Sequence, residues 1–373
     1  MRKLFYSMMF AAALLSSFTA DAKKSKKNAE PLIFPTQEEG WHKVKPEKYG
    51  FDSEKLKDLK KYIIDKTHAT GVIVIVGGEQ IFKYGSLDRL SYIASCRKSV
   101  LAMMYGKYVE NGTINLKTTV GELGIDDIGG LLPIEKEATI DNLITARSGV
   151  YHDASNAGYD LKHRPERGTK KPGEFYLYNN WDFNVAGTAF EQLTGKNIYD
   201  AFYEDIGSRI GLQDWDRSIQ KKGGDLSVSI HPAYHFRFST RDMARIGYLM
   251  LREGNWNGDQ VISKKWVKKI TSPVSKVDEV GHGKKDYRYS YGYMWWLYDD
   301  SCSKNTWQYH GGYAAHGNMG QYINVFPAMD MVIAIKTDAT YGRKIGKGAL
   351  DNIIEMVFQS YDKDIQKRYN EAK

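Results

Sequence analysis

Apolar and polar positions alternate with two different periods along this chain, and the switches between them mark its elements. Residues 54–66, "EKLKDLKKYIIDK", space leucine and isoleucine at helical intervals with charges between, which predicts an amphipathic helix. "GVIVIVGGEQIFKYGSL", from Gly71, holds two strand-like runs about Gly77-Gly78, a hairpin pattern. Helical spacing returns from Ser95 to about Glu110 and stops at Asn111-Gly112. "TIDNLITARSGV" and "WDFNVAGTAFEQLTG" continue the helical theme on either side of a Gly-, Lys- and His-rich loop from Tyr151 to Gly173. In "STRDMARIGYLMLREG" Ser239 or Thr240 caps an i, i+3, i+4 apolar face that ends near Gly254. Period-two alternation resumes in "YGYMWWLY" and in the hairpin "GQYINVF", "PAMD", "MVIAIKT", and a last helix runs from about Gly346 to Ser360.

Strands therefore sit at both ends and helices fill the middle, without an internal repeat. The pattern predicts an α/β chain of the α+β kind. An antiparallel sheet, from about 41–94 and 280–373, is flanked by helices, and a helical region of about 95–279 is inserted between its two parts. A cleft at the junction is the default site.

The first residues change the picture of where this domain begins. Arg2 and Lys3, an apolar stretch from Leu4 to Phe18 and the small-x-small Ala20-Asp21-Ala22 read as a secretory signal peptide over 1–22, followed by a linker over 23–40 with Pro31 and Pro35. The expectation is a secreted or periplasmic protein. No later segment offers about 18 unbroken apolar residues, so no stable membrane insertion is expected after cleavage. The formal charge of +8 suits an anionic envelope polymer better than nucleic acid, since no zinc-finger, RNP-like or helix-turn-helix pattern accompanies it. Cys96 and Cys302 are too few for a disulfide scaffold, and a buried free thiol is the expected state of Cys96.

"YIASCRKS" carries the chemistry. Ser95 and Lys98 stand at i, i+3 on one helix face, so the amine lies beside the hydroxyl. Burial of that face would lower the lysine pKa and make it a base for a serine that needs one. A capping serine with a solvated lysine explains the same letters. Order along the chain favours the base, because the motif falls where sheet meets helices.

Taken with "TIDNLITARSGV", "KPGEFYLYNNWDFNVAG", "STRDMARIGYLMLREGNWNGDQVIS" and "YGYMWWLY", that motif resembles the serine β-lactamase and penicillin-binding-protein superfamily, in particular its class C, esterase and 6-aminohexanoate-oligomer hydrolase branch. The resemblance spans about Trp41 to Phe358 and implies a β-lactamase/transpeptidase-like fold. It implies that Ser95 is the acylated nucleophile, that Lys98 is its base, and that Tyr178 is a second acid or base with its phenol pKa lowered by Lys98. Asn180 would bind substrate or steady Lys98. The family's Lys-Thr-Gly motif does not occur. Ala315-His316-Gly317 takes its place by spacing to Gly320-Gln321, with His310-Gly311-Gly312 as the rival placement. The amides of Ser95 and Asn318 would form the oxyanion hole, Gly317 would let backbone approach a substrate, and His316 would contact it, holding a carboxylate only when protonated.

Trp295 and Trp296 read as core. The loop residues His152, Asp153, Lys162, His163 and Arg164 border the cleft without metal-ligand spacing. Neither an H-E-x-x-H nor a G-x-S-x-G appears, so no metal and no cofactor are expected. The expected activity is hydrolysis of an ester or amide through an acyl-enzyme, on a small-molecule or peptide-like acyl substrate, cell-wall fragments among the candidates. D-alanyl-D-alanine peptidase, β-lactamase and non-turnover β-lactam or peptidoglycan binding are the alternatives.

Overall fold

The computed structural model describes residues 32–300 and 307–372, so the leader and Cys302 lie outside the described residues. Helix α1 is Ser53–Lys66, opened by the Asp52 side chain, which accepts from the amides of Glu54 and Lys55. Strands β1 (Gly71–Val76) and β2 (Glu79–Gly85) pair antiparallel, with Gly77 and Gly78 both at positive φ in the turn. Then come α2 (Cys96–Glu110), α3 (Asn180–Thr194) and α4 (Thr240–Leu251). Strands β3 (Tyr289–Tyr291), β4 (Trp296–Tyr298), β5 (Tyr313–Gly317), β6 (Gln321–Phe326) and β7 (Met331–Lys336) follow, and α5 is Lys347–Gln359.

The strands form one seven-stranded antiparallel sheet in the order β2-β1-β7-β6-β5-β4-β3. The amino-terminal hairpin joins the carboxy-terminal strands along β1 and β7, with Gly71 opposite Lys336 and Val76 opposite Met331. Alternation explains how β1 serves two layers. Val72, Val74 and Val76 pack with Leu56, Leu59 and Ile63 of α1 and with Leu350, Ile353 and Val357 of α5. Ile73 and Ile75 join the larger core with Met243, Ile246 and Leu249 of α4 and with α2. Each such side chain contributes about 1.5–3 kcal/mol by leaving water. Helix α4 reaches β7 this closely because Gly247 has no side chain, since a Cβ there would lie 2.7 Å from Val332. Among the described residues no helix is long and apolar enough to cross a membrane.

Two details depart from the sequence reading. Phe34 to Gly40, expected in a linker, belong to the packed body: the buried Arg245 donates to the carbonyls of Pro35 and Thr36. Of the two caps offered for α4 Ser239 is the one used, and Asn179 caps α3. A further helix, Lys363–Glu371, follows α5 and buries no residue, so no apolar period announced it.

Candidate active site

The chain enters the site through a sharp turn. Ala94 has φ +48°, a left-handed conformation that costs a non-glycine residue about 1 kcal/mol, and it swings Ser95 to the head of α2. Ser95 is the helix N-cap, yet its hydroxyl caps nothing and is left for other partners. One turn on, the Lys98 side chain is buried, only 1% exposed, and reaches back. Its Nζ lies 3.0 Å from Ser95 Oγ, 2.7 Å from the Tyr178 hydroxyl and 2.6 Å from Asn180 Oδ1. The Tyr178 and Phe183 rings close over it at 4.1 and 4.5 Å.

Burial holds the Lys98 pKa well below the usual lysine range, and the neighbouring Arg97 guanidinium pushes it the same way. That environment favours the neutral amine, which has two N–H donors and one lone pair. Asn180 Oδ1 can only accept, so it takes one N–H and fixes the amine's orientation. The lone pair therefore faces one of the two hydroxyls, each able to give it a proton.

Several expectations change here. Tyr178 is pushed above the ordinary phenol range by burial, against a smaller opposing pull from its hydrogen bond with Ser95. The expected lowering by Lys98 does not appear, because burial penalises the phenolate and dominates. Of the two roles expected of Asn180, its contact with Lys98 Nζ fits the steadying one. Asn180 is buried behind Lys98, and its Nδ2 donates to the carbonyls of Asn156 and Ala157. Arg97, which the sequence reading passed over, is buried too, donates to Asn184 at 2.7 Å and stacks 4.3 Å over Tyr234.

Opposite Ser95 runs the end of β5. Gly317 is fixed by the protein itself: a Cβ there would meet the Ile93 carbonyl oxygen at 2.5 Å. Its neighbour Asn318 is exposed at the cleft. Among the described residues, no backbone carbonyl accepts from the amide of Ser95 or of Asn318.

The cleft has a volume of about 310 Å³ and a wall of Tyr178, Tyr287, Tyr289, Trp296 and Tyr322. His316 lies in that wall, stacked on Trp296 at 5.6 Å. Burial, helped by Lys347, pulls its pKa down to about 3. It is neutral at physiological pH and cannot hold a carboxylate by charge. His310 does not line the cleft; it is exposed and lies 3.1 Å from an Asp300 oxygen. Trp295 is core, but Trp296, the next residue, faces the cleft, as strand alternation requires.

A lysine does stand in the cleft, from an element the motif reading did not consult. Lys347, the first residue of α5, lines the wall beside Tyr287 and Tyr289, with Nζ 5.4 and 5.0 Å from their ring centres. Of the loop residues, Gly158 lines the cleft. His152, Asp153 and Arg164 instead border a second cavity of about 500 Å³. Lys162 is exposed, and His163 turns to Asp160.

Comparison with known proteins agrees with this arrangement. The family model for Beta-lactamase matches residues 60–356. A Bacillus anthracis protein named as a 6-aminohexanoate-dimer hydrolase is 18% identical, with TM-score 0.60, covering 91% of this chain and 88% of its own. A penicillin-binding protein homologue from Caulobacter crescentus is 15% identical, with TM-score 0.60, over 85% of this chain and 98% of its own. A family VIII carboxylesterase is 14% identical at the same TM-score, over 86% and 99%. At these identities the structures share the fold alone, and it is the family match across most of the sheet and the inserted helices that shows the chain to belong to the beta-lactamase family of hydrolases.

Proposed function

We propose that this protein is an exported serine hydrolase that cleaves an ester or amide through an acyl-enzyme on Ser95. One observation carries the reading: a buried Lys98 amine, its pKa held well below the usual lysine range, 3.0 Å from the Ser95 hydroxyl at the edge of an open cleft. Ser95 Oγ attacks the acyl carbonyl while its proton passes to the Lys98 lone pair, directly or by way of the Tyr178 hydroxyl. The oxyanion is met by the amides of Ser95 and Asn318. As the tetrahedral intermediate collapses, the bond to the amine or alcohol breaks, and that group leaves with the proton held by Lys98. Water then attacks the Ser95 ester, gives its proton to Lys98, and Ser95 recovers one as the acid departs.

Burial keeps Tyr178 protonated, which favours it as a proton relay and Lys98 as the base. Aromatic walls suit an acyl group with a flat or apolar body. With His316 neutral, Lys347 is the cation available to an anionic end of the substrate. Export is inferred from the leader pattern at 1–22.

Intact-mass measurement after a fluorophosphonate, a p-nitrophenyl ester and a penicillin tests this. We expect one probe adduct, absent in Ser95→Ala, and ester turnover that falls by about 10⁴-fold or more in that variant. Undiminished turnover in Ser95→Ala would sink the proposal. A penicillin adduct that persists would turn the assignment to a β-lactam-binding protein or peptidase.

A further inference from the structure

Beside the cleft, on the far side of the Tyr178 segment, two histidines and an aspartate converge from distant parts of the chain. His163 and His282 stack with ring centres 4.0 Å apart and planes only 14° from parallel. His163 Nδ1 lies 2.7 Å from Asp160 Oδ2, and His282 Nε2 lies 3.3 Å from the same oxygen. The first contact is a hydrogen bond, and the second is off the line one requires, leaving His282 Nε2 buried with no hydrogen-bond partner. Two ring nitrogens and one carboxylate oxygen all lie within 4.8 Å of one another.

We propose that Asp160, His163 and His282 form a binding site for a first-row divalent cation, zinc above all. The donor set is two imidazoles and a carboxylate, which zinc takes readily while calcium and magnesium prefer all-oxygen sites. Zinc–ligand bonds of about 2.0–2.1 Å in a tetrahedron put neighbouring ligand atoms about 3.3 Å apart. The His282–Asp160 spacing already has that value. On binding the His163–Asp160 contact opens by about half an ångström, one imidazole turns out of the stack so that both in-plane lone pairs meet the ion, and the shared proton is released to solvent. A fourth position is left for water or a further ligand. Phe175 stacks on His282 at 5.7 Å and Tyr176 lies against it, so the site has an aromatic surround that limits competing water.

Its place gives the ion a task. The Asp160 amide donates to the Tyr178 carbonyl at 3.0 Å, Gly158 lines the cleft two residues earlier, and His282 precedes Tyr287 and Tyr289 of the aromatic wall. A bound cation would clamp the 151–173 loop to the segment leading into β3, and so fix the distance between two rims of the cleft. This inference stands on the ligand geometry and does not depend on the serine mechanism.

The test is calorimetric titration of zinc chloride into full-length, chelator-treated protein. We expect one saturable equivalent, proton release seen as buffer-dependent heat, and a higher melting temperature with zinc. Asp160→Asn keeps the shape of its side chain. His282→Asn suits the left-handed backbone there, φ +48°, because asparagine tolerates it. Each should bind more than about 100-fold more weakly, since even outer-shell losses cost 10–100-fold. Cobalt(II) on the unaltered protein gives a second readout, intense visible bands of a tetrahedral site. Equal zinc uptake by the variants would assign the metal to other histidines, and absence of both uptake and cobalt bands would leave only a His–Asp hydrogen bond. Either result overturns the proposal.

Discussion

Among the described residues two lysines are buried, and they behave differently because of what surrounds them. Lys98 and Lys336 are 1% and 2% exposed, and burial lowers the pKa of both, that of Lys336 to about 7. Lys336, at the end of β7, donates to the backbone carbonyls of Arg89 and Ser91, each at 3.2 Å. Carbonyls accept and have no proton to give. Lys98 has one such acceptor, Asn180, and two hydroxyls. Desolvation alone thus makes a strand tie at one place. At the other, with proton donors added and a cleft alongside, it makes a base.

The sharpest way to break the contrast is to replace each lysine by methionine, which keeps most of the packing volume. Lys98→Met should lower ester turnover by about 10³-fold, within the range of lost general-base catalysis, with little loss of fold. Lys336→Met should keep turnover within about tenfold but lower the unfolding free energy by about 1–3 kcal/mol, because two buried carbonyls lose their donor. If turnover fell equally in both, the distinction between base and tie would be wrong.

A second prediction concerns proton affinity at Lys98. The Arg97 guanidinium opposes the Lys98 ammonium, so Arg97→Met should raise the Lys98 pKa and move the acid limb of the pH–rate profile to higher pH. An unmoved limb would mean that desolvation alone sets the base. Stability supplies the matching test for the other lysine. Between pH 7 and about 10.4 the unfolded chain holds a proton that folded Lys336 lacks, so stability from this group rises with pH across that window. Lys336→Met should flatten that rise, measured by denaturant midpoints.

The smallest effect is expected at the cleft rim. Lys347→Met should raise KM for an anionic ester about fivefold, roughly 1 kcal/mol for a partly exposed charge, and leave a neutral ester unchanged. Equal effects on both esters would remove Lys347 from substrate recognition.

Much of this was legible in the sequence because it is local. The Val/Ile alternation of β1, the glycine turn after it and the Ser95/Lys98 spacing all lie within a few residues of one another. Even the joining of the two termini followed from strands at both ends. What escaped depends on contacts across the chain. Lys347 reaches the cleft from a helix start about 250 residues after Ser95, and His282 meets Asp160 from a separate segment, with no motif to announce either. The misjudged phenol of Tyr178 was a matter of environment: burial of its own hydroxyl penalises the phenolate, and no local pattern announces that burial.

The close approach of Gly317 to Ile93 sets a boundary on how such an enzyme can change. Any side chain at 317 would pry β5 away from the turn carrying Ser95 and separate the two amides of the proposed oxyanion hole. Random variation that seeks new substrates is confined to the aromatic wall and the Lys347 rim, where side chains are replaceable. The protein is thus divided into a part that laboratory evolution can rewrite and a part that it can only lose.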